Sequence, residues 1–294
     1  MKAKRHEIDM CNGPILKKIL LFAFPLILSN VLQLLFNAAD MIVVGRFVGS
    51  HALAAVGATG SLTNLLLNIF MGISVGVNVT VARAFGSKNK VNISESVHTA
   101  IGLSLVSGIL LINIGQFRSR PLLVLTGAPE DVIDQSTLYM RVYFTGMPVV
   151  MLYNFGSAIM RAVGDTKRPL YYLSASGVLN VILNVIFVTQ FGMKVEGVAL
   201  ATVLSQVLSV ALILRALIKT EGAYRLELKK IRIHKRKLVQ IIKIGIPAGI
   251  QGMTFSISNV LIQSSINSFG SIAVAGSTAA SNVEGFVYTT MNAL

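Results

Sequence analysis

The feature that most constrains this 294-residue chain is its succession of long apolar segments. A bilayer core of about 30 Å is crossed by about 20 apolar residues in a helix. Helices are the expected form because the backbone must satisfy its own hydrogen bonds in lipid. Seven segments qualify in full, and an eighth begins near Ile272 and is still apolar at Leu294. The seven are Ile19–Val44, Leu53–Ala82, Ser96–Phe117, Thr137–Ile159, Pro169–Gln190, Val198–Ile218 and Leu238–Ser268.

Composition supports a polytopic, all-α membrane protein. Apolar residue types make up 53% of the chain and charged types only 13%, about half the charged share of soluble domains. A soluble fold cannot cover its surface with so few charges. The net charge of +14 sits in short clusters between apolar runs, so we expect membrane lipids, and not nucleic acid, as the partner of these charges.

The distribution of Lys and Arg orients the predicted spans. With the N-terminus inside, 21 of the 26 basic residues fall on the cytoplasmic side, as the positive-inside rule requires. We therefore expect a multi-pass protein of the cell membrane with a cytoplasmic N-terminal tail, residues 1–18.

The chain divides into a six-helix N-terminal lobe (19–218), a basic linker (219–237) and the start of a second lobe (238–294). The linker contains ELKKIRIHKRK, which predicts a cytoplasmic segment held near anionic headgroups. A shift of 222 residues lays Phe24-Pro25 on Ile246-Pro247, and one residue of slippage then lays Gly49 on Gly270. Repeated half-bundles are typical of secondary transporters.

Asp40 is the only acidic residue within the seven complete spans. It lies roughly 8 Å below the outer end of the first span, at 1.5 Å per residue. An interfacial carboxylate that reaches water is the alternative. Its flanks, LLFNAA and MIVV, are apolar, and ionisable groups inside spans are functional candidates by default.

Polar residues of the fifth and sixth spans lie at a similar depth. Asn184 and Thr202 are each about 9 Å from the outer face, and Asn180 is one turn deeper on the face of Asn184. One carboxylate, two amides and a hydroxyl can therefore converge. Such oxygen ligands suit a hard cation, and a buried carboxylate can instead hold a proton. Hydrogen bonding between helices is the alternative role of the two amides.

Other residues are candidates for substrate contact or conformational change. Gln33 and Asn37 share the helical face below Asp40 and are expected to line a substrate cavity. Tyr139, at the outer end of the fourth span, is a further candidate, and an ordinary interfacial tyrosine is the alternative. Pro25 is a candidate hinge because it removes a backbone hydrogen bond. Glu284, in the incomplete eighth segment, either serves the second lobe or is left without its partners because the segment is truncated.

Three motifs in order resemble the multidrug and toxic compound extrusion (MATE) family, in its bacterial, DinF-like branch. They are FPLILSNVLQLLFNAADMIVVGRFVGSHALAAVG from residue 24, GVNVTVARAFGSKN from residue 76 and RAVGDTKRP at 161–169. The resemblance covers essentially the whole chain. It departs from the family pattern because the chain stops within the eighth helix, and because related proteins often carry a carboxylate where Asn184 stands.

The resemblance implies a twelve-helix antiporter of two six-helix lobes. Such a protein exports small amphiphilic cations against a Na⁺ or H⁺ gradient, without another cofactor or an obligatory protein partner. The family's cation site falls on Asp40, Asn180, Asn184 and Thr202. Two alternatives are a flippase for a lipid-linked precursor, which needs cationic residues in its cavity, and a non-transporting fragment. The sequence has no nucleotide-binding loop, and its histidines lack the spacing of metal ligands. No motif therefore indicates an enzyme.

The charge asymmetry predicts where the linker lies. A cysteine replacing Arg232, in a Cys11→Ser background, should react with a membrane-impermeant maleimide in inverted vesicles but not in intact cells. Glu130→Cys, in a predicted outer loop, should show the reverse. Labelling of the Arg232→Cys variant in intact cells would contradict the orientation.

Overall fold

The computed structural model describes residues 14–292, with side chains at 14, 16, 18–281 and 283–285. Residues 1–13 of the predicted tail lie outside the described residues. Across residues 14–292 all regular structure is helical. The helices are α1 (Ile15–Val43), α2 (Ser50–Gly86), α3 (Lys90–Leu125), α4 (Ile133–Thr145), α5 (Met147–Ala162), α6 (Lys167–Thr189), α7 (Val195–Lys219), α8 (Lys235–Asn267) and α9 (Ser271–Asn292), with a π-helical turn at Val44–Val48 and a 3₁₀ turn at Leu228–Lys230.

The predicted membrane architecture is confirmed. Within residues 14–292, six helices are long and apolar enough to cross a bilayer, and α4 with α5 form a seventh candidate as a bent pair. Large apolar side chains such as Phe24 and Phe117 are exposed on the outside of the bundle, where only lipid tails would solvate them favourably. In the predicted division of the chain, α1 to α7 form the first lobe and α8 with α9 begin the second.

The fourth predicted span differs from the sequence expectation because it is broken. Helices α4 and α5 meet at an angle of 50°, with Gly146 between them. Pro148 lies in the first turn of α5 and has no N–H to donate to a carbonyl in the last turn of α4, so the two helices cannot continue as one regular helix. A side chain at Gly146 would collide with Val203 of α7, so the break is packed tightly against the lobe.

The two repeated segments have a similar backbone at their ends. The backbone also explains why the alignment of the two segments shifts by one residue. Gly49 (φ +114°) and Gly270 (φ +88°) each precede a helix, α2 and α9, in a conformation that favours glycine. The π-helical turn Val44–Val48 ends in a hydrogen bond of 3.0 Å from the Gly49 N–H to the Val44 carbonyl. A π turn takes up one extra residue, which accounts for the longer first copy.

The motif RAVGDTKRP forms the turn between α5 and α6. Gly164 has a φ of +88°, and the buried Asp165 accepts the backbone N–H of Arg168 at 3.1 Å while pairing with the Arg168 guanidinium. Pro169 falls in the first turn of α6, where no donor is lost. The motif therefore caps α6 at its N-terminus.

Glycines allow α8 to pack closely on α2. Gly72 faces Gly249, and a Cβ atom on Gly245 would lie 2.6 Å from the Ile73 Cα atom. Small residues at such a seam let two membrane helices approach backbone to backbone. The first lobe and the start of the second are therefore joined along α2 and α8.

The close packing of α2 on α8 predicts that alanine substitutions at two glycines of α2 have different effects on stability. Gly72→Ala forces a Cβ atom into the backbone of Gly249 and should destabilise the protein by about 1–3 kcal/mol, as overpacking does. Gly60→Ala is the matched control, since a Cβ there meets no described atom within 4 Å, and it should be neutral or stabilising by up to about 1 kcal/mol. Thermal unfolding of both variants in detergent measures the difference, and equal unfolding temperatures would contradict the seam.

Candidate functional site

A cavity of about 360 Å³ lies inside the first lobe, at the lower end of the size range of small-molecule sites. Helices α1, α2, α4, α5, α6 and α7 contribute its wall. Most lining residues carry amide, hydroxyl or carboxyl groups. They are Gln33, Phe36, Asn37, Asp40, Asn64, Leu67, Asn68, Met71, Tyr143, Val150, Tyr153, Asn154, Leu173, Ser176, Gly177, Asn180, Thr202, Ser205 and Gln206.

Close packing of α1 on α6 positions Asp40. The Phe36 ring lies directly over Gly177, where a Cβ atom would collide with it, so the two helices approach closely. One turn further along α1, the Asp40 carboxylate accepts a hydrogen bond from the Asn184 amide. Asn184 is completely buried. A half-buried carboxylate is thus held by a fixed donor of the neighbouring helix.

Asn180 and Thr202 extend this contact to α7. The Asn184 Nδ2 atom lies 3.4 Å from Asn180 Oδ1, and the Asn180 amide donates to the Thr202 hydroxyl oxygen at 3.3 Å. The Thr202 hydroxyl donates in turn to the Val198 carbonyl at 3.0 Å. The structure therefore brings together all four residues that the sequence placed at similar depth, in one hydrogen-bonded chain across three helices.

The acceptor oxygens of this chain give it two chemical capacities. Among the described residues, the buried Asn184 Oδ1 atom has no hydrogen-bond partner, and a carboxylate has more acceptor sites than one amide donor fills. A carboxylate with neutral amide and hydroxyl oxygens can ligate a small hard cation. The same carboxyl group can instead take up a proton.

Of the predicted substrate contacts, Gln33 and Asn37 line the cavity. Tyr139 stands behind the wall. Its ring stacks on Tyr143, with centroids 6.0 Å apart and planes at 10°, and of these two tyrosines it is Tyr143 that lines the cavity. A contact of Tyr139 with substrate stays a prediction.

Pro25 and Glu284 lie away from the cavity wall. Pro25 is buried within α1, and its carbonyl accepts the Ser29 hydroxyl at 2.8 Å, so the helix is continuous through the predicted hinge. Glu284 is exposed on α9. The structure assigns neither residue a role, and both roles stay predictions.

Several wall residues were missed by the sequence reasoning, above all Asn64 and Asn68 of α2, Tyr143, and Asn154 of α5. The signal was present for the first pair, because two asparagines four residues apart in an apolar span share a face. Asn68 also donates to the Ser256 hydroxyl of α8 at 2.7 Å. The cavity wall is thereby hydrogen-bonded to the start of the second lobe.

Comparison with known proteins gives concordant matches. The MatE family profile matches residues 25–186. "Probable multidrug resistance protein YoeA" of Bacillus subtilis (strain 168) is 32% identical over 274 residues, which are 91% of this chain and 59% of that protein. The chain therefore spans about three fifths of the length of this relative.

Two solved structures share the fold. One is the inward-facing conformation of a multidrug resistance MATE family transporter, with a TM-score of 0.77 and 26% identity over 88% of this chain and 61% of that one. The other is the MATE multidrug transporter DinF-BH, with a TM-score of 0.90 over 99% of this chain and 65% of that one. At 21% identity, the second likeness concerns the fold alone.

The Asp40–Asn184 contact predicts a cation-dependent variant. Asn184→Asp places a second carboxylate beside Asp40, and two adjacent carboxylates repel each other unless a cation or proton neutralises one. We expect saturating Na⁺ to raise the unfolding temperature of this variant by several degrees more than that of the wild type, by linkage. Asn184→Ala removes the donor without adding charge and should show no such gain. If Na⁺ raised the unfolding temperatures of the wild type and of Asn184→Asp equally, the result would contradict the position of residue 184 beside Asp40.

Proposed function

Because this chain belongs to the MATE family, we propose that it supplies the first lobe of a cation-coupled antiporter that exports small amphiphilic cations. Its family and its structural relatives are transporters and not enzymes. The observation that carries the proposal is the position of Asp40, which is the only acidic side chain among the described residues of the cavity wall and is hydrogen-bonded to Asn184.

Coupling follows from competition for a single carboxyl group. Na⁺ or a proton can occupy Asp40, and each changes what the Asn184 amide and the remaining oxygens contact. A ligand shifts a conformational equilibrium only by its differential affinity for the two states. If the cation-bound state of the lobe has low affinity for substrate, cation entry and substrate release are linked.

The moving element in this proposal is α1. It carries Pro25 and Asp40, and the Asp40–Asn184 contact ties its outer half to α6. Proline lacks the N–H that would complete a helical turn, so bending at this point costs less than elsewhere in the helix. Breaking the contact with Asn184 would free the outer half of α1 to bend at Pro25.

The cavity wall fits a small cation with an apolar part. It combines one negative charge with the apolar surfaces of Phe36, Leu67 and Met71. The flippase alternative requires cationic side chains to hold phosphate groups. The described residues of the wall include no Lys and no Arg, which favours export of organic cations.

Orientation and location belong to the same proposal. The distribution of basic residues supports a cytoplasmic N-terminus and linker, with the outer half of the first lobe and Asp40 toward the exterior. The exposed apolar faces of the helices would contact membrane lipids directly. Sequencing beyond Leu294 tests the fragment alternative, since four more apolar spans would complete the second lobe.

The central test is Asp40→Asn in the protein expressed from its complete reading frame. An amide is nearly isosteric with the protonated acid but cannot titrate or ligate Na⁺ as an anion. The variant should express and fold, bind substrate with an affinity that no longer changes with pH or Na⁺, and fail to export it from vesicles under an imposed gradient. Export at the wild-type rate would overturn the mechanism.

Two further variants make this test specific. Glu284→Gln removes the exposed carboxylate of α9 and should leave coupling intact. Thr202→Val removes a neutral oxygen ligand and should weaken Na⁺-driven export more than H⁺-driven export, because a proton needs no cage of oxygens. Loss of coupling in Glu284→Gln with retention in Asp40→Asn would assign the site to the second lobe.

A further inference from the structure

Residues 220–234, the strap, connect α7 to α8 and are fixed to the first lobe by buried polar contacts. His98 of α3 is only 1% exposed. Its Nδ1 atom lies 2.7 Å from the Ser94 carbonyl, so Nδ1 carries the proton, and its Nε2 atom accepts the backbone N–H of Glu227 at 3.1 Å. A buried histidine is thus devoted to one backbone group of the strap.

Three more contacts hold the strap and the first turn of α8. The His234 N–H donates to the Thr99 hydroxyl oxygen at 3.1 Å. The Lys237 ammonium, 4% exposed, donates to Asn92 Oδ1 at 2.8 Å. Tyr224 is buried, with its ring edge-on to Phe85 at 6.5 Å. A segment fixed at four points is more than a flexible spacer.

The fixed strap presents a concentrated positive charge. Its exposed cations, with those of the adjoining turn of α8, are Arg225, Lys229, Lys230, Arg232, Lys235 and Arg236. Lys230 pairs with Glu227 at 2.9 Å. Within the described part of the chain, the other five have no ion-pair partner. Like charges held this close repel one another, so the arrangement favours an anionic partner.

The position of the strap identifies the class of that partner. The contacts that the strap and the first turn of α8 make on α3 run from Asn92 to Gly102. Ile231 and Ile233 of the strap lie beside Gly102. This stretch of α3 straddles Ser96, where the third predicted span begins, so the strap lies at the depth of lipid headgroups. Leu228 is 62% exposed among the cations, and an apolar side chain beside basic ones is typical of segments that lie in the membrane interface.

We propose that the strap and the first turn of α8 form a binding site for the headgroups of anionic phospholipids, pre-organised by the contacts with α3. The site requires that the chain span a bilayer, but it does not depend on coupled export. Pre-organisation distinguishes it from a loose basic linker. Ordering the cations before binding removes part of the entropic cost of association, so uncharged residues that fix the strap also contribute to lipid affinity.

The charge arm of the test compares two triple variants of the protein expressed from its complete reading frame, purified in detergent. Native mass spectrometry measures binding of phosphatidylglycerol and of phosphatidylcholine. Lys229→Gln/Arg232→Gln/Arg236→Gln should lower phosphatidylglycerol affinity roughly 100-fold, at about fivefold per charge near an anionic surface, and leave phosphatidylcholine unchanged. Lys88→Gln/Lys90→Gln/Lys167→Gln removes equal charge at the same end of the bundle and should change phosphatidylglycerol affinity less than about threefold, since such charges are screened.

The second arm tests the pre-organised strap without changing charge. Thr99→Val removes the acceptor of the His234 N–H and should lower phosphatidylglycerol affinity about two- to tenfold, the range for one hydrogen bond. Thr99→Ser keeps the hydroxyl and should restore affinity. Equal losses in the two charge variants, or unchanged affinity in Thr99→Val with an intact thermal transition, would overturn the proposal. If Thr99→Val does not fold, the charge arm alone decides.

Discussion

In a membrane, the backbone N–H and C=O groups must find their hydrogen-bond partners within the protein, and the structure depends on this constraint. It forces the backbone into long helices and gathers polar side chains where they face one another. Asp40, Asn180, Asn184 and Thr202 belong to three different helices, yet they form one hydrogen-bonded chain. The cavity beside them is where the lobe can hold polar groups away from lipid.

The polar side chains of different helices can form hydrogen bonds because the helices approach one another closely. Short polar side chains such as Asp and Asn span only a few ångströms, so the helices that carry them must nearly touch. Gly177 lets the Phe36 ring lie against α6, and Asp40 meets Asn184 on the same pair of helices. Glycines at the seam of α2 and α8 do the same between the lobes, where Asn68 reaches Ser256.

The two ends of the bundle use polar groups differently. The proposed cation site leaves the Asn184 Oδ1 atom without a hydrogen-bond partner among the described residues, as an exchangeable ligand requires. Its single carboxylate gives the proposed switch one titratable group. At the linker end, His98, Thr99 and Lys237 are satisfied by the strap and by α3. Saturated contacts of that kind hold a segment rigid and leave its outward cations available.

Much of this protein followed from the sequence because a helix has a constant rise per residue. The lengths of the apolar runs predicted the spans. Counting residues from the outer end of each span placed Asp40, Asn184 and Thr202 at a similar depth. Only the tertiary structure decided the break at Gly146, the choice of Tyr143 over Tyr139 in the cavity wall, and the contact between His98 and Glu227, which are 129 residues apart. Rotation of a helix about its axis and docking of a loop depend on packing against distant segments, which no local pattern encodes.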